Sequence, residues 1–187
     1  MNAVSKSHGL TTPLEGLSAS GWDPNAAIAA PLTLIEPVVG NAWVDYNGHM
    51  SESCYLLVFG DNSDAFFRFI GIDDAYRAAG QSFYTVESHL HYLREVAEGE
   101  PLRLTLQLLD LDEKRMHIFH SMVHGQSGAL LATGEQMLLH VSMTDGRSSS
   151  IPRPIHQRLQ AIRAAHSILP LPPQVGHRIG IQRTAAP

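Results

Sequence analysis

The fold is decided by the stretch Asp45-Tyr46-Asn47-Gly48-His49-Met50, which leads into the apolar run of residues 55–70. Ser51, between the two, is a residue type that favours the N-cap of a helix, and the acidic Glu52 suits the positive end of the helix dipole. Apolar residues cover most of the circumference of the helix that follows, which predicts a helix wrapped by other elements rather than one lying on a surface. Gly71 is a suitable residue to end this helix.

Strand patterns dominate the sequence beyond Gly80, after a short helix predicted at about 73–79. Residues 102–111 alternate between leucine and polar residues for most of their length, which is the period of a half-buried strand. The sequence predicts four strands, at 82–94, 102–111, 116–124 and 129–143, and earlier strands at 32–35 and 42–44. The chain is therefore predicted to be α+β, with an antiparallel sheet wrapped around one long central helix.

The chain divides into three regions by composition. Residues 1–30 are rich in Ser, Gly, Ala, Asn and Pro, which predicts a loosely ordered N-terminal extension with a short helix near 24–30. Residues 31–150 carry the strand and helix patterns of one folded domain. Residues 151–187 are predicted to form a helix at 151–166, followed by an extended Pro-rich tail.

Composition excludes several classes of function. The 187 residues carry a formal net charge of −5, which is unlike the basic footprint of a nucleic-acid-binding protein. The single cysteine, Cys54, rules out an intrachain disulfide and lies in an apolar run, where we expect an inert thiol. Neither a signal peptide nor a run of about 18 apolar residues is recognisable, so we expect a cytoplasmic protein without a membrane partner.

The motif Val44-Asp45-Tyr46-Asn47-Gly48-His49-Met50, with Tyr55 in the following helix, resembles the opening motif of hotdog-fold thioesterases of the 4-hydroxybenzoyl-CoA thioesterase type. Residues 90–96, the Gly99-Glu100-Pro101-Leu102 turn and residues 131–141 resemble later strands of that family. The likeness spans roughly residues 35–155. It implies a hotdog fold, a homodimer or homotetramer, and hydrolysis of an acyl-CoA substrate.

A closer resemblance concerns the run Phe83-Tyr84-Thr85-Val86-Glu87-Ser88-His89-Leu90-His91-Tyr92-Leu93-Arg94-Glu95. This run is similar to the thioesterases of bacterial carnitine degradation, which hydrolyse betainyl-CoA. The resemblance implies a short polar or cationic acyl group, with betainyl as the specific candidate.

Thioester hydrolysis needs an activated nucleophile and hydrogen-bond donors for the developing oxyanion. Asp45 is predicted to activate water as a general base or to attack directly and form a mixed anhydride, and the sequence leaves both routes open. Gly48 is expected to let the backbone approach a ligand, and the N–H groups near the helix start, from Gly48 to Ser51, to bind the carbonyl oxygen. Asn47 either positions water or holds the turn. His49 binds substrate, polarises the carbonyl or packs, and a plain turn residue is the alternative interpretation of Asp45.

Residues for binding the substrate are proposed from the family geometry, in which the helix of one subunit faces strand residues of its partner. Glu87 and His89 are expected to complete the site across that interface, with Glu87 paired to a quaternary ammonium. An aromatic cage for the same cation is predicted from candidates that also suit core packing: Trp43, Tyr46, Phe66 and Tyr84. Tyr55 is expected to pack or to orient a loop at the substrate. The CoA phosphates need positive charge at the rim, for which the candidates are Arg94, Lys114, Arg115 and Arg147.

Eleven histidines raise the question of a metal site. His89 and His91 share a strand face, but His117 and His120 are predicted to lie on opposite faces, which argues against a shared metal. We therefore expect no metal and no redox cofactor, coenzyme A being part of the substrate. Two rival functions stay open: a dehydratase on the same fold, whose helix motif is not found here, and a module that binds an acyl thioester without cleaving it.

Overall fold

The computed structural model describes residues 11–19 and 21–181, and its centre is the predicted long helix, α1 (Glu52–Ile70). Ser51 stands at the N-cap in an extended conformation, and Gly71 ends the helix with a φ of 96°. The N-cap position is confirmed, although the Ser51 hydroxyl makes no capping bond and lies 3.4 Å from the hydroxyl of Ser53. At 1.5 Å per residue, α1 is about 28 Å long, so its two ends lie at opposite sides of the domain.

A six-stranded antiparallel sheet packs against α1, which confirms the predicted α+β class. The strands and the short helix among them have these bounds: β1 (Leu32–Ile35), α2 (Asp74–Ala78), β2 (Gln81–Tyr92), β3 (Leu102–Leu111), β4 (Arg115–His124), β5 (Leu130–Ser142) and β6 (Arg147–Ser148). The spatial order is β1-β3-β4-β5-β2, with β6 paired to β5.

The two faces of the sheet differ in what covers them. The inner face packs on α1, as shown by Gly134 of β5, where an added Cβ would lie 2.9 Å from the Phe59 ring. Buried side chains from β3, β4 and β5 join Phe66 and Ile70 of α1 in one core cluster. A helix with apolar residues on nearly all sides must be buried by other elements. The sheet supplies that burial for residues 55–70.

The outer face of the sheet is crossed by the chain's own C-terminal segment. The predicted final helix is present as α3 (Arg153–His166), and it buries Ile155, Leu159 and Ile162 in the core cluster. Residues 167–181, here called the strap, then run across the outer face. The amide of Gln107 on β3 donates to the Pro170 carbonyl at 3.4 Å, and the Gly176 N–H donates to Glu135 on β5 at 2.9 Å.

Two predicted elements are wrong. Residues 42–44 do not form a strand, because Asn41–Trp43 form a short 3-10 turn. Val44 makes only an isolated bridge, with Met50. The helix predicted near 24–30 is a single turn, in which the N–H of Asn25 donates to the Asp23 carboxylate at 2.8 Å.

The described part of the N-terminal extension lies against α1 and α2. Arg68 of α1 donates to the Leu17 carbonyl at 2.6 Å, and the Ala19 N–H donates to the Asp73 carboxylate at 3.1 Å. Trp22 packs edge to face on Phe69 with ring centres 5.6 Å apart. The first ten residues of the predicted extension lie outside the described ranges. Among the helices of residues 11–19 and 21–181, none is long and apolar enough to cross a membrane.

Candidate active site

The segment 45–50 forms a tight loop fixed directly to the start of α1. The N–H of Asp45 donates to the His49 carbonyl at 3.0 Å, and the N–H of Ser51 donates to the Trp43 carbonyl at 2.8 Å. Val44 and Met50 form an antiparallel bridge across the base of the loop. The loop therefore holds Asp45 at a set position relative to the helix N-terminus.

The half-buried carboxylate of Asp45 accepts the N–H of Asn47 at 2.8 Å and lies 3.5 Å from the Asn47 side-chain amide. This is an Asx turn, and it shows how Asn47 holds the loop. Gly48 has a φ of 80°, and a Cβ there would meet nothing within 4 Å. The backbone conformation of the turn, rather than a close approach of the backbone to another group, is the visible reason for glycine at this position.

The donors predicted for the oxyanion need a correction. The N–H groups of Gly48, Met50 and Ser51 already donate to the carbonyls of Asp45, Val96 and Trp43, at 2.8–3.0 Å. Peptide groups in a folded loop use their donors locally, which the sequence pattern did not reveal. The first-turn N–H groups of α1, at Glu52 and Ser53, have no intrahelical acceptor and are the available donors.

An open pocket of about 390 Å³ lies beside this helix start, where the end of β2 passes the first turn of α1. His49 contacts this rim, with its Nε2 3.6 Å from the Glu95 carboxylate. The pocket is lined by Met50, Glu52, Tyr55, Tyr92, Leu93, Arg94 and Glu95. The arrangement combines apolar surface, charged groups and free helix N–H groups, which suits a small polar ligand with one group that accepts hydrogen bonds.

Two tyrosines form adjoining walls of the pocket. The rings of Tyr55 and Tyr92 meet edge to face, with centres 5.3 Å apart and planes at 82°. Tyr55 donates to the Arg94 carbonyl and Tyr92 to the Glu52 carbonyl, each at 3.3 Å. Burial raises the pKa of Tyr55, and the neighbouring Glu95 and Tyr92 raise it further. Burial and the carboxylate of Glu52 likewise raise the pKa of Tyr92, so both phenols are neutral at physiological pH.

The structure does not bring the predicted aromatic cage together. Phe66 is sealed in the core with no exposed surface, and Tyr46 is 96 % exposed. Trp43 packs against a separate core cluster, around Val58 and Phe59 of α1. Tyr84, Glu87 and His89 lie on the outer face of β2, as their register opposite Leu139, Met137 and Glu135 shows. Within one subunit, the sheet separates Glu87 and His89 from the pocket, because alternate strand residues point to opposite faces.

The predicted CoA-binding cations also separate into two groups. Arg94 lines the pocket, and its guanidinium donates to the Leu130 carbonyl at 2.7 Å. Lys114, Arg115 and Arg147 lie near the start of β4 and the end of β5, at the other end of α1. Arg115 is paired with Asp112 at 2.6 Å. These three residues are remote from the pocket of their own subunit.

The sequence interpretation missed five lining residues: Met50, Glu52, Tyr92, Leu93 and Glu95. Tyr92 had a usable signal, because it follows Leu90 at a spacing of two and therefore shares the inner strand face with it. Among residues 11–19 and 21–181, no group of three His, Cys, Asp or Glu side chains is arranged to hold a metal ion. His117 and His120 do lie on opposite faces, as predicted, with His117 against Glu135 and His120 against α1.

Comparison with known proteins places this geometry among thioesterases. Residues 39–159 match the family model of the thioesterase-like superfamily. The betainyl-CoA thioesterase of Pseudomonas aeruginosa is 45% identical over 151 residues, which are 80% of this chain and 95% of that protein. The L-carnitine dehydrogenase/betainyl-CoA thioesterase of Rhizobium meliloti is 44% identical over 172 residues, or 92% of this chain. The chain spans about a third of that longer relative, since the match covers 33% of its length.

A solved structure shares the same architecture. A Staphylococcus aureus protein, determined in complex with CoA, superimposes with a TM-score of 0.78 at 28% sequence identity. The match covers 84% of this chain and 99% of the other.

Proposed function

Since the chain belongs to the thioesterase-like superfamily, we propose that it hydrolyses the thioester bond of an acyl-CoA with a short polar or cationic acyl group, specifically betainyl-CoA. The products are the free acid and CoA. The relatives named betainyl-CoA thioesterase, at 44% and 45% identity, support this substrate. The reaction needs water and the acyl-CoA, and the proposal includes no metal or redox cofactor.

The observation that carries the proposal is that the Asp45 loop leads directly into the first turn of α1, and that Met50, at the end of this loop, lines the open pocket beside that turn. Asp45 supplies the carboxylate, either as general base for water or as nucleophile. The first-turn N–H groups and the positive end of the helix dipole stabilise the oxyanion that forms at the thioester carbonyl. His49, next to Glu95, positions the substrate at the rim.

The proposal includes a homodimer in which a second copy pairs along β2. Within the described residues β2 has one neighbour, β5, so its other edge is open for pairing. Under twofold symmetry the two β2 strands run antiparallel, so the start of one lies beside the end of the other. The partner's Lys114, Arg115 and Arg147 are then the cations available to the CoA phosphates near Arg94. Glu87 and His89 lie on the outer face of β2, so in this proposal they approach a pocket only as residues of the partner, across the interface.

Replacing Asp45 by Asn tests the central assignment. The amide oxygen of Asn still accepts the N–H of Asn47, so the turn is retained while the base or nucleophile is lost. We expect kcat to fall by about 10²–10⁴-fold with little change in affinity for the acyl-CoA. Thiol release measured with an Ellman-type assay reports kcat, and calorimetric binding of CoA reports the affinity for the CoA part of the substrate.

The matched control is Asp23→Asn, because Asp23 forms the same Asx turn with Asn25 at the same 2.8 Å, away from the pocket. This control should keep the wild-type rate. An unchanged rate in Asp45→Asn would instead favour the rival function, a module that binds the acyl thioester without hydrolysis. That rival has one observation in its favour, namely that the Asp45 carboxylate already serves the turn.

A further inference from the structure

The pocket at the start of α1 has walls suited to an organic cation. Two neutral tyrosine rings that line the pocket stand nearly perpendicular, at 82°; Tyr92 is 51 % exposed, whereas Tyr55 is 4 % exposed. The face of an aromatic ring attracts a cation through its quadrupole, and perpendicular rings enclose a bulky tetrahedral group on two sides. Met50 and Leu93 add apolar surface of the kind that methyl groups contact.

The charged residues of the pocket favour a cation as well. Glu52 and Glu95 both line it, against one cation, Arg94. The Arg94 guanidinium is engaged with the Leu130 carbonyl at 2.7 Å. Both carboxylates act electrostatically on the ring pair, since Glu95 raises the pKa of Tyr55 and Glu52 raises that of Tyr92. The carboxylates therefore lie close enough to the aromatic walls to interact with a cation held between them.

We propose that Tyr55, Tyr92, Glu52 and Glu95 form the subsite that selects a quaternary ammonium in the acyl group. This assignment rests on the proposed hydrolysis of a cationic acyl-CoA and identifies the residues responsible for its specificity. This subsite replaces the aromatic cage predicted from the sequence, which consisted of Trp43, Tyr46, Phe66 and Tyr84. Pairing with the quaternary ammonium, predicted for Glu87, is assigned to Glu52 and Glu95, which belong to the same subunit as Asp45. The subsite adjoins the first-turn N–H groups, so the cation and the thioester carbonyl of one short acyl chain occupy neighbouring positions.

The test compares two thioesters of nearly equal shape: betainyl-CoA and tert-butylacetyl-CoA, in which a carbon replaces the quaternary nitrogen. The wild type is expected to prefer the cationic thioester in kcat/KM. The double variant Glu52→Gln/Glu95→Gln and the single variant Tyr92→Leu are each expected to reduce that preference about fivefold. Tyr92→Phe keeps the ring face and should keep the preference. Glu36→Gln, an exposed carboxylate after β1 at the opposite edge of the sheet, is the control for lost negative charge.

The outcomes separate this inference from the proposed function. If the wild type hydrolyses both thioesters and the variants leave their ratio unchanged, the subsite assignment is wrong and the hydrolase stands. If the wild type hydrolyses neither, the proposed function is wrong. The subsite then has a readout independent of turnover: NMR saturation transfer from the aromatic protons to the methyl groups of tetramethylammonium. That transfer is expected in the wild type and lost in Tyr92→Leu, and its absence in the wild type overturns the subsite.

Discussion

At the scale of single residues, the buried His120 links the stability of the fold to pH. It has no exposed surface and lies between β4 and α1, where Nδ1 is 2.9 Å from the Asn62 amide nitrogen. Nε2 is 3.2 Å from both the Ser63 hydroxyl and the Gln136 amide oxygen. Because Asn62 donates to Nδ1, the proton of the neutral ring is on Nε2. Burial lowers the pKa of His120 to about 4.

This lowered pKa predicts acid sensitivity. The unfolded chain takes up the His120 proton near the ordinary pKa of 6.5, whereas the folded chain resists it until about pH 4, so the free energy of unfolding decreases as the pH falls between these values. We expect His120 to account for about 2 kcal/mol of the decrease between pH 7.5 and pH 5. Urea denaturation gives the free energy of unfolding of wild type and His120→Gln at pH 7.5 and pH 5. The contribution of His120 is the difference between the two proteins in how much this free energy changes with pH.

The variant should be less stable than wild type at pH 7.5, since it disturbs a buried hydrogen-bond network, yet less sensitive to acid. His140 and His166, whose pKa values are also lowered by burial, keep part of the sensitivity. His156→Gln on α3 is the matched control for replacing a histidine by glutamine outside this network. If the free energy of unfolding of His120→Gln and of wild type changes equally with pH, His120 is not a source of the acid sensitivity.

At the scale of elements, the proposed dimer depends on the open edge of β2. It is 12 residues long, and on its open edge Tyr84, Val86 and Tyr92 are 52 %, 55 % and 51 % exposed. A long exposed strand with apolar residues is a ready template for pairing. We expect Val86→Lys to weaken the proposed dimer at least tenfold, because a buried strand edge tolerates an added charge poorly, and to lower kcat/KM in parallel. Sedimentation velocity over a range of protein concentrations measures the first effect.

The comparison variant is Thr33→Lys, which adds the same charge to the exposed edge of β1 on the other side of the sheet. It should leave both the assembly and the rate unchanged. A monomeric wild type that is fully active would remove the partner from the proposed mechanism.

At the scale of the whole molecule, the strap runs from the end of α3 to β2 at the far edge of the sheet. His177 of the strap lies 5.0 Å from His91 and 6.4 Å from His89, ring centre to ring centre. Burial lowers the pKa of His91, and the nearby His89 and His177 lower it further. Glu87, Glu135, His117 and Arg178 face the same cleft, of about 320 Å³. The folded state therefore favours the neutral form of His91, and docking of the strap is strongest above about pH 6.5.

We expect acidification to pH 5.5 to release the strap before the domain unfolds, since protonation places like charges side by side. Amide hydrogen exchange of residues 170–181, corrected for the intrinsic rate at each pH, should rise relative to that of α3 in the same sample. His91→Gln should reduce the difference between the two pH values. Equal protection of the strap at both pH values would exclude the histidines as its anchor.

The sequence by itself determined the long helix, the main strands and the family. The apolar circumference of residues 55–70, Gly71 and the alternation of 102–111 led to α1, its end and β3 with the observed bounds, because such patterns are stable only in one environment. The Asp45–Met50 motif led to the thioesterase resemblance and the hotdog fold, which the family match and the solved relative confirm.

Only the tertiary structure decided which side chains meet. Glu87 and Phe66 look as suitable as Glu52 and Tyr92 along the sequence, yet Glu87 lies on the outer face of β2 and Phe66 is sealed under the sheet. The bulge of β2 between Thr85 and Glu87 and its register with β5 set those faces. The N–H groups of Gly48, Met50 and Ser51 are likewise used in backbone hydrogen bonds, so the available donors are those in the first turn of α1. Local patterns specify elements because they depend on neighbours in the chain, whereas a site depends on contacts between residues far apart in it.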